Sequence, residues 1–505
     1  MKNTRNIGIT LSYVYLILNT VLSIFITSFI IRAVGKTNYG VHQSMTAFLS
    51  YLVLLEFGTG TLMTRNLSLL KRDGSDEDAV NKNISTIWTM TIALSCIIVV
   101  FAFVFWLLIG VIYSNSMTAE QIDLGKKIFI FAAGHTVFSF LTTTLNGVLM
   151  AYERYLVEKT LQLIKLLLRV GLLIVLLTSE ANVMFVSIVD FSLAVLVFVL
   201  SAVYCISKLK VKLVFRYFDK DILKSCLPLA FAMLLQTIVN VANGNVDKFC
   251  ISVMMTPEDV SVYSISMTIF TMFASVATVP ITMFMPTIAK NVKAGLTDNE
   301  LTKTLVEPCR FCVMITGLIL FGFIVVGRQF LSLVYGEDFE QSWFYAVIVI
   351  VPMFVNMTNG VVVNVLDLKN KRHIQSFILL GTTIVNIIMT VLGIMHFGMI
   401  AAATATAIAL VIQTVLLGIF YQQKIGIRVM WLYHQSYKGI IPFYIIAGAI
   451  AFGLSYPIEG RLLQLLICGT VFVVIAAALV ISFGLTDSEK QKCNGIIRKV
   501  FSKKS

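Results

Sequence analysis

The chain has 505 residues, 58% of them hydrophobic and only 13% charged, where soluble domains carry about 25% charged residues. No connection between its apolar stretches is long enough to fold as a soluble domain, which excludes a globular enzyme. The net charge of +13 reads as a basic collar meeting anionic lipid, and nucleic acid is not expected as a partner.

Fourteen apolar stretches occupy residues 9–34, 40–66, 84–112, 126–150, 160–178, 182–206, 225–254, 261–289, 309–335, 342–366, 374–396, 398–423, 439–456 and 462–485. Each is near the ~20 residues needed to cross hydrocarbon as a helix. The first follows Lys2 and Arg5, but it is too long for the apolar core of a signal peptide and lacks a small-residue cleavage site. It reads as a span.

The connections alternate in charge. Most of the 39 Lys and Arg residues fall on one side, from Lys2 and Arg5 through Arg65, Lys71, Arg72 and Lys82, then Arg154, Lys159, Lys165 and Arg169, to the segment 207–224 and the tail. The other side holds Arg32, Lys36, Lys126, Lys127, Arg328 and Arg461, with Lys248 inside a span. The positive-inside rule puts both termini in the cytoplasm, and an even number of spans agrees.

The expected fold is therefore an all-α integral membrane protein. About fourteen transmembrane helices form two pseudo-symmetric six-helix lobes plus a C-terminal helical hairpin. The lobes are residues 1–206 and 225–423, joined by a cytoplasmic linker at 207–224. Helices 13 and 14 lie in 424–485, and 486–505 is a basic cytoplasmic tail. Spans 1 and 7 both begin in the cytoplasm, as parallel repeats require. A shift of 221 residues lays Tyr15, Asn19 and Ser23 on Gln236, Asn240 and Gly244, and a shift of 218 lays Asn146 and Arg154 on Asn364 and Arg372.

Polar residues recur on single helix faces. Span 1 carries Ser12, Tyr15, Asn19, Ser23 and Thr27, and span 7 carries Gln236, Asn240, Asn243 and Asp247. Span 4 carries His135, Ser139, Thr142 and Asn146; span 10 carries Asn356, Thr358, Asn359 and Asn364. Such residues line a wet cavity or bond across packed helices. The stripe in span 7 favours a cavity between the lobes, suited to a large polar substrate.

Intramembrane charges are costly and mark function. Lys248 presents a cation to an anionic substrate or snorkels outward. Arg65 meets phosphate on the cytoplasmic side or snorkels there, and Glu56 lies just before Gly58-Thr59-Gly60. Lys165 and Arg169, with Asp190, form a candidate ion pair within the first lobe, while Arg310 and Arg328 read as interfacial. The candidate cavity set is Lys248, Arg65, Asp247, Asn19, Gln236, Asn240, Asn243, Tyr15 and Glu56. No catalytic residue, cofactor or metal site is expected: the sequence has no phosphate-binding glycine loop, no dinucleotide fingerprint and only five scattered histidines. Cys309-x-x-Cys312 lacks a second ligand pair, and no disulfide is expected.

The stretch Gly35-x-x-x-Tyr39-Gly40, then Tyr51-Leu52-x-x-Leu55-x-Phe57-Gly58 and Arg65, resembles the first hairpin of the polysaccharide flippases. Leu227-Pro228, Asp247-Lys248, Val260-x-x-Tyr263-Ser264 and Pro286 extend the likeness to the multidrug/oligosaccharidyl-lipid/polysaccharide exporter superfamily. His42 departs from it, since the family often has another aromatic there. The resemblance implies a Wzx-type flippase of the bacterial cytoplasmic membrane. Such a protein moves polyprenyl-diphosphate-linked oligosaccharide to the outer leaflet by alternating access, for surface polysaccharide biosynthesis. Its implied partners are that glycan lipid, membrane lipid, a glycan polymerase and glycosyltransferases. Two alternatives stand beside it: a lipid II-type flippase and a drug/cation antiporter of the same superfamily, which would use acidic cavity residues.

Overall fold

The computed structural model describes residues 2–74, 76–211, 217–294, 296–369, 372–487 and 489–491. Part of the 207–224 linker and nearly all of the tail lie outside them. Some helical side chains are also outside, including those of Gln236, Asn240 and Asn243.

The described chain is helical throughout. It begins with α1 (Lys2–Val34), α2 (Lys36–Leu52), α3 (Thr59–Arg72), α4 (Glu77–Ile112), α5 (Ala119–Ala151), α6 (Tyr155–Ser179), α7 (Met184–Ser207) and α8 (Lys220–Met254). It continues with α9 (Pro257–Met283), α10 (Met285–Lys293), α11 (Asp298–Tyr335), α12 (Gln341–Leu368), α13 (Arg372–Phe397) and α14 (Met399–Phe420). It closes with α15 (Val429–Tyr437), α16 (Ile441–Gly453) and α17 (Arg461–Leu479).

Among the described residues, twelve helices are long and apolar enough to cross a membrane, and α15 with α16, bent by 43°, make a thirteenth if they form one span. The remaining expected stretch, 225–254, is occupied by the 35-residue α8. Helix starts follow from local chemistry. Thr118 and Thr297 close capping boxes with Gln121 and Glu300, and Asp219 accepts from the backbone N–H groups of Asp221 and Ile222. Each satisfies amides that a helix leaves unpaired in its first turn.

By packing, the chain divides into two compact units, Met1–Ser264 with Ile387–Ala402 and Ile265–Asn386 with Ala403–Ser505. Helix α8 packs with the first unit.

In the first unit, α3, α4 and α5 are clasped by hydroxyls. Thr144 shares hydrogen bonds with Thr59 (2.9 Å) and Thr91 (3.0 Å), and Thr64 donates to the Gly147 carbonyl at 3.1 Å. Around this clasp Leu62, Met63, Leu67, Leu145 and Val148 are fully buried.

In the second unit, Arg310 is buried within the protein near the start of its span. Only 5% of its side chain is exposed. Its guanidinium donates to the carbonyls of Gln435 (3.0 Å), Lys438 (2.9 Å) and Gly484 (2.6 Å), and to both carboxylate oxygens of Glu489 at 2.8 and 3.2 Å. One side chain thus ties α11 to the start and the end of the C-terminal hairpin. Burial pushes the Glu489 carboxyl up, but bonds from Arg310 and the Thr486 N–H outweigh it and hold it below its ordinary value.

The sign of the resulting pH dependence is fixed. A carboxyl depressed in the folded state contributes stability above its unfolded pKa and loses it as pH falls through the folded one. Glu489→Gln should lower the thermal midpoint in detergent at pH 7, at a cost of about 3 kcal/mol for opening a buried pair. The gap to wild type should stay constant on acidification and close only below the ordinary carboxylate value of about 4.3. A gap that already closes near neutrality would remove Glu489 from this role.

Candidate functional site

The second expected span is broken in its middle. Helix α2 ends at Leu52, a 3-10 turn covers Val53–Glu56, and Phe57 (φ 49°) and Gly58 (φ 64°) are both left-handed before α3 begins. Gly58 has a second constraint: a Cβ there would lie 2.7 Å from Met233 Cβ of α8. Non-helical backbone at membrane depth is tolerated where protein covers it or a cavity receives it. Glu56 sits at this break, half-buried, and makes no hydrogen bond or ion pair with the described residues.

Two polar cavities lie within the first unit. One, of about 270 Å³, is lined by Tyr15 and Asn19 of α1, Ser139, Thr142 and Asn146 of α5, and Gln162, Lys165 and Arg169 of α6. These positions recur at three- and four-residue spacing, so each helix turns one polar face to the same space. Arg169 is anchored by Asp190 of α7, with Nη2 3.0 Å from Oδ2. Lys165, one turn away, makes no hydrogen bond or ion pair with the described residues. The expected internal ion pair therefore forms through Arg169 alone and leaves a free cation facing amides and hydroxyls.

The other cavity, of about 260 Å³, is lined by His42, Thr46 and Ser50 of α2, His135 and Thr136 of α5, and Ser187 and Asp190 of α7. His135 Nε2 shares a 3.3 Å hydrogen bond with Ser139. That bond and the Arg169–Asp190 pair each join a residue lining one cavity to a residue lining the other. His42 Nδ1 and Ser187 Oγ are buried without a partner. Sequence reasoning noted His42 only as a departure from the family pattern. The four-residue spacing of His42, Thr46 and Ser50 was the signal available.

The other sequence candidates fall elsewhere. Lys248 donates to Gln43 Oε1 at 2.6 Å, bridging α8 to α2 instead of snorkelling. Asp247 is 4% exposed and accepts from Tyr263 (2.8 Å) and Thr390 (2.9 Å). Arg65 is exposed on α3. Gln236, Asn240 and Asn243 lie on α8, with side chains outside the described residues. Tyr15 and Asn19 are thus the two members of the candidate set that share a described cavity. In span 10 the amides and hydroxyls bond across helices. Asn356 donates to Thr414 (3.2 Å), Asn364 to the Ile281 carbonyl (3.0 Å), and Thr358 shares a bond with Tyr437 (3.0 Å).

A family profile described as "Polysaccharide biosynthesis protein" matches residues 29–344, more than half of the chain. No curated protein sequence matches. Among solved structures, a lipid II flippase MurJ in an inward closed conformation aligns with a TM-score of 0.72 at 14% identity, over 94% of this chain and 99% of that one. An inward-facing multidrug resistance MATE transporter of the MOP superfamily aligns at 0.64 and 12% identity, over 82% and 95%. The Vibrio cholerae MATE transporter VcmN in its bent form aligns at 0.52 and 11% identity, over 87% and 100%. At these identities the likeness establishes a shared fold. Together with the family match it bears out the resemblance read from the Gly, Tyr and Pro motifs.

The paired and the free cation of the first cavity should respond oppositely to removal. Arg169→Met strands Asp190 and should cost about 3 kcal/mol, read as a lowered thermal midpoint. Lys165→Met removes a half-buried charge that has no hydrogen bond or ion pair among the described residues and should leave the midpoint unchanged or raise it. Equal destabilisation by both would make Lys165 a structural residue.

Proposed function

The chain belongs to the polysaccharide biosynthesis protein family, and from that premise we propose that it is a multi-pass membrane flippase, not an enzyme, carrying polyprenyl-diphosphate-linked oligosaccharide from the cytoplasmic to the outer leaflet of a bacterial inner membrane. The observation that carries this reading is the cavity of Tyr15, Asn19, Asn146, Gln162, Lys165 and Arg169. Its chemistry is that of the cargo headgroup. Sugar hydroxyls pair with amides and a phenol, and a diphosphate pairs with cations. A diphosphate cannot cross hydrocarbon uncompensated, because even one charge at the bilayer centre costs several kcal/mol or more. The free Lys165 ammonium can approach it as a point charge, while the Asp190-held guanidinium of Arg169 offers its remaining donors.

A cation substrate fits this cavity poorly, since its two basic residues are joined there by no carboxylate of its own lining. That weighs against the drug/cation antiporter. A lipid II-type cargo is the second reading, favoured by the near full-length alignment with the lipid II flippase.

The test is surface glycan in a strain lacking the native gene, normalised to membrane-protein level. Lys165→Ala should reduce export by about tenfold or more, the equivalent of one lost charge-assisted contact. Lys165→Arg should be milder, because it keeps the charge with altered geometry. Full export by Lys165→Ala would end the phosphate role of this cavity. Rescue of a lipid II flippase-deficient strain, with no effect on surface glycan, would select the second reading.

A further inference from the structure

A third polar cavity, of about 510 Å³, lies in the second unit. It is built by the end of α11, the start of α12, and the turn between α16 and α17. Arg328 and Arg461, which the charge count assigns to the outer side, both line it.

Its walls are held in place. Arg328 Nε donates to Glu340 Oε2 at 2.8 Å, Arg461 Nη2 lies 2.7 Å from Glu340 Oε1, and Arg461 Nη1 lies 2.7 Å from Glu337. Trp343 donates its indole N–H to the Phe323 carbonyl at 3.0 Å. Its ring lies against Gly327, where a Cβ would come within 2.7 Å of the indole. Gln464 is fixed by the carbonyls of Ser455 and Ile458 and accepts from Gln329 Nε2 at 3.3 Å. Gln329 Oε1 is enclosed in the wall, with no hydrogen-bond partner among the described residues. Tyr456 stands 81% exposed at the rim.

The lining decides the ligand class. Two guanidiniums already face two carboxylates, so the site is close to neutral and a phosphate or carboxylate would meet Glu340 and Glu337. Donors and acceptors are both present: spare guanidinium N–H groups donate, the Tyr456 hydroxyl donates or accepts, and the glutamate carboxylates accept. The aromatic side chains of Trp343 and Tyr456 line the same cavity. Polyhydroxylated rings, with polar edges and apolar C–H faces, match such a surface, and the volume lies in the range of small-molecule sites.

We propose that this cavity is a saccharide site, which receives uncharged sugar rings of the cargo glycan on the outer side. It rests on the flippase reading for its cargo, but its binding can be measured without transport.

The test uses the full-length protein in phosphatidylcholine nanodiscs. Cellobiose and N,N′-diacetylchitobiose serve as neutral probes and sn-glycerol 1-phosphate as an anionic headgroup probe, each followed by saturation-transfer difference NMR. At least one disaccharide should bind, with Tyr456→Ala and Arg328→Ala each weakening it by about tenfold. Both residues are largely exposed, so the variants should fold. Three results would overturn the proposal: no disaccharide binding, unchanged binding in both variants, or binding of glycerol phosphate in place of the sugars, which would make this an interfacial lipid site. A flippase that exports normally yet binds no disaccharide would sink this site and spare the transport reading. Sugar binding without export would do the reverse.

Discussion

Hydrocarbon offers no hydrogen bonds, so each polar group within a span must find a partner inside the protein or border a polar cavity. That constraint organises the described structure. Hydroxyls along the helices return their protons to carbonyls three or four residues back, as Thr91 does to Ile87 and Thr142 to Phe138. Amides bridge neighbouring helices, as Asn386 does to Thr406 at 2.9 Å. Charged groups are gathered into hubs, of which Arg310 with Glu489 and three carbonyls is the fullest.

Against this satisfied background, the unsatisfied groups stand out. In the first unit they include Lys165 at the first cavity and His42 Nδ1 and Ser187 Oγ around the second, besides Asn83 Oδ1 and Ser201 Oγ in the packed interior. Glu56 joins them at the broken helix. Each costs folding energy where it stands, and Lys165, His42, Ser187 and Glu56 border a polar cavity or a helix break. Where several such groups border one cavity, the cost is concentrated at a candidate site.

The same accounting separates residues that resemble each other in the sequence. Asn146 and Asn364 fall together at a shift of 218 residues in the sequence, yet Asn146 borders the cationic cavity while Asn364 is bonded to the Ile281 carbonyl. Asp190 and Asp247 are both intramembrane carboxylates. Asp190 holds a guanidinium at a cavity wall, and Asp247 is enclosed by two hydroxyls. Arg310 and Arg328 lie on one helix and both read as interfacial, but only Arg328 is exposed.

The sequence by itself determined the helices, their approximate ends and the membrane setting. Those depend on hydropathy over a span's length and on charges in short connections, both of which are local quantities. It also determined that Tyr15, Asn19, Ser139 and Asn146 sit on polar helix faces, since that follows from helical period alone. Only the tertiary structure decided which of those faces meet. Whether Lys248 is a free cation or a partner of Gln43, 205 positions away, depends on how two helices are rotated against each other. The same holds for Lys165 being left free while Arg169 takes Asp190, and for Arg328, Trp343 and Arg461 closing around one cavity. No periodicity within a single helix encodes the rotation and depth of its neighbour, and that relation is what turns a polar stripe into either packing or a site.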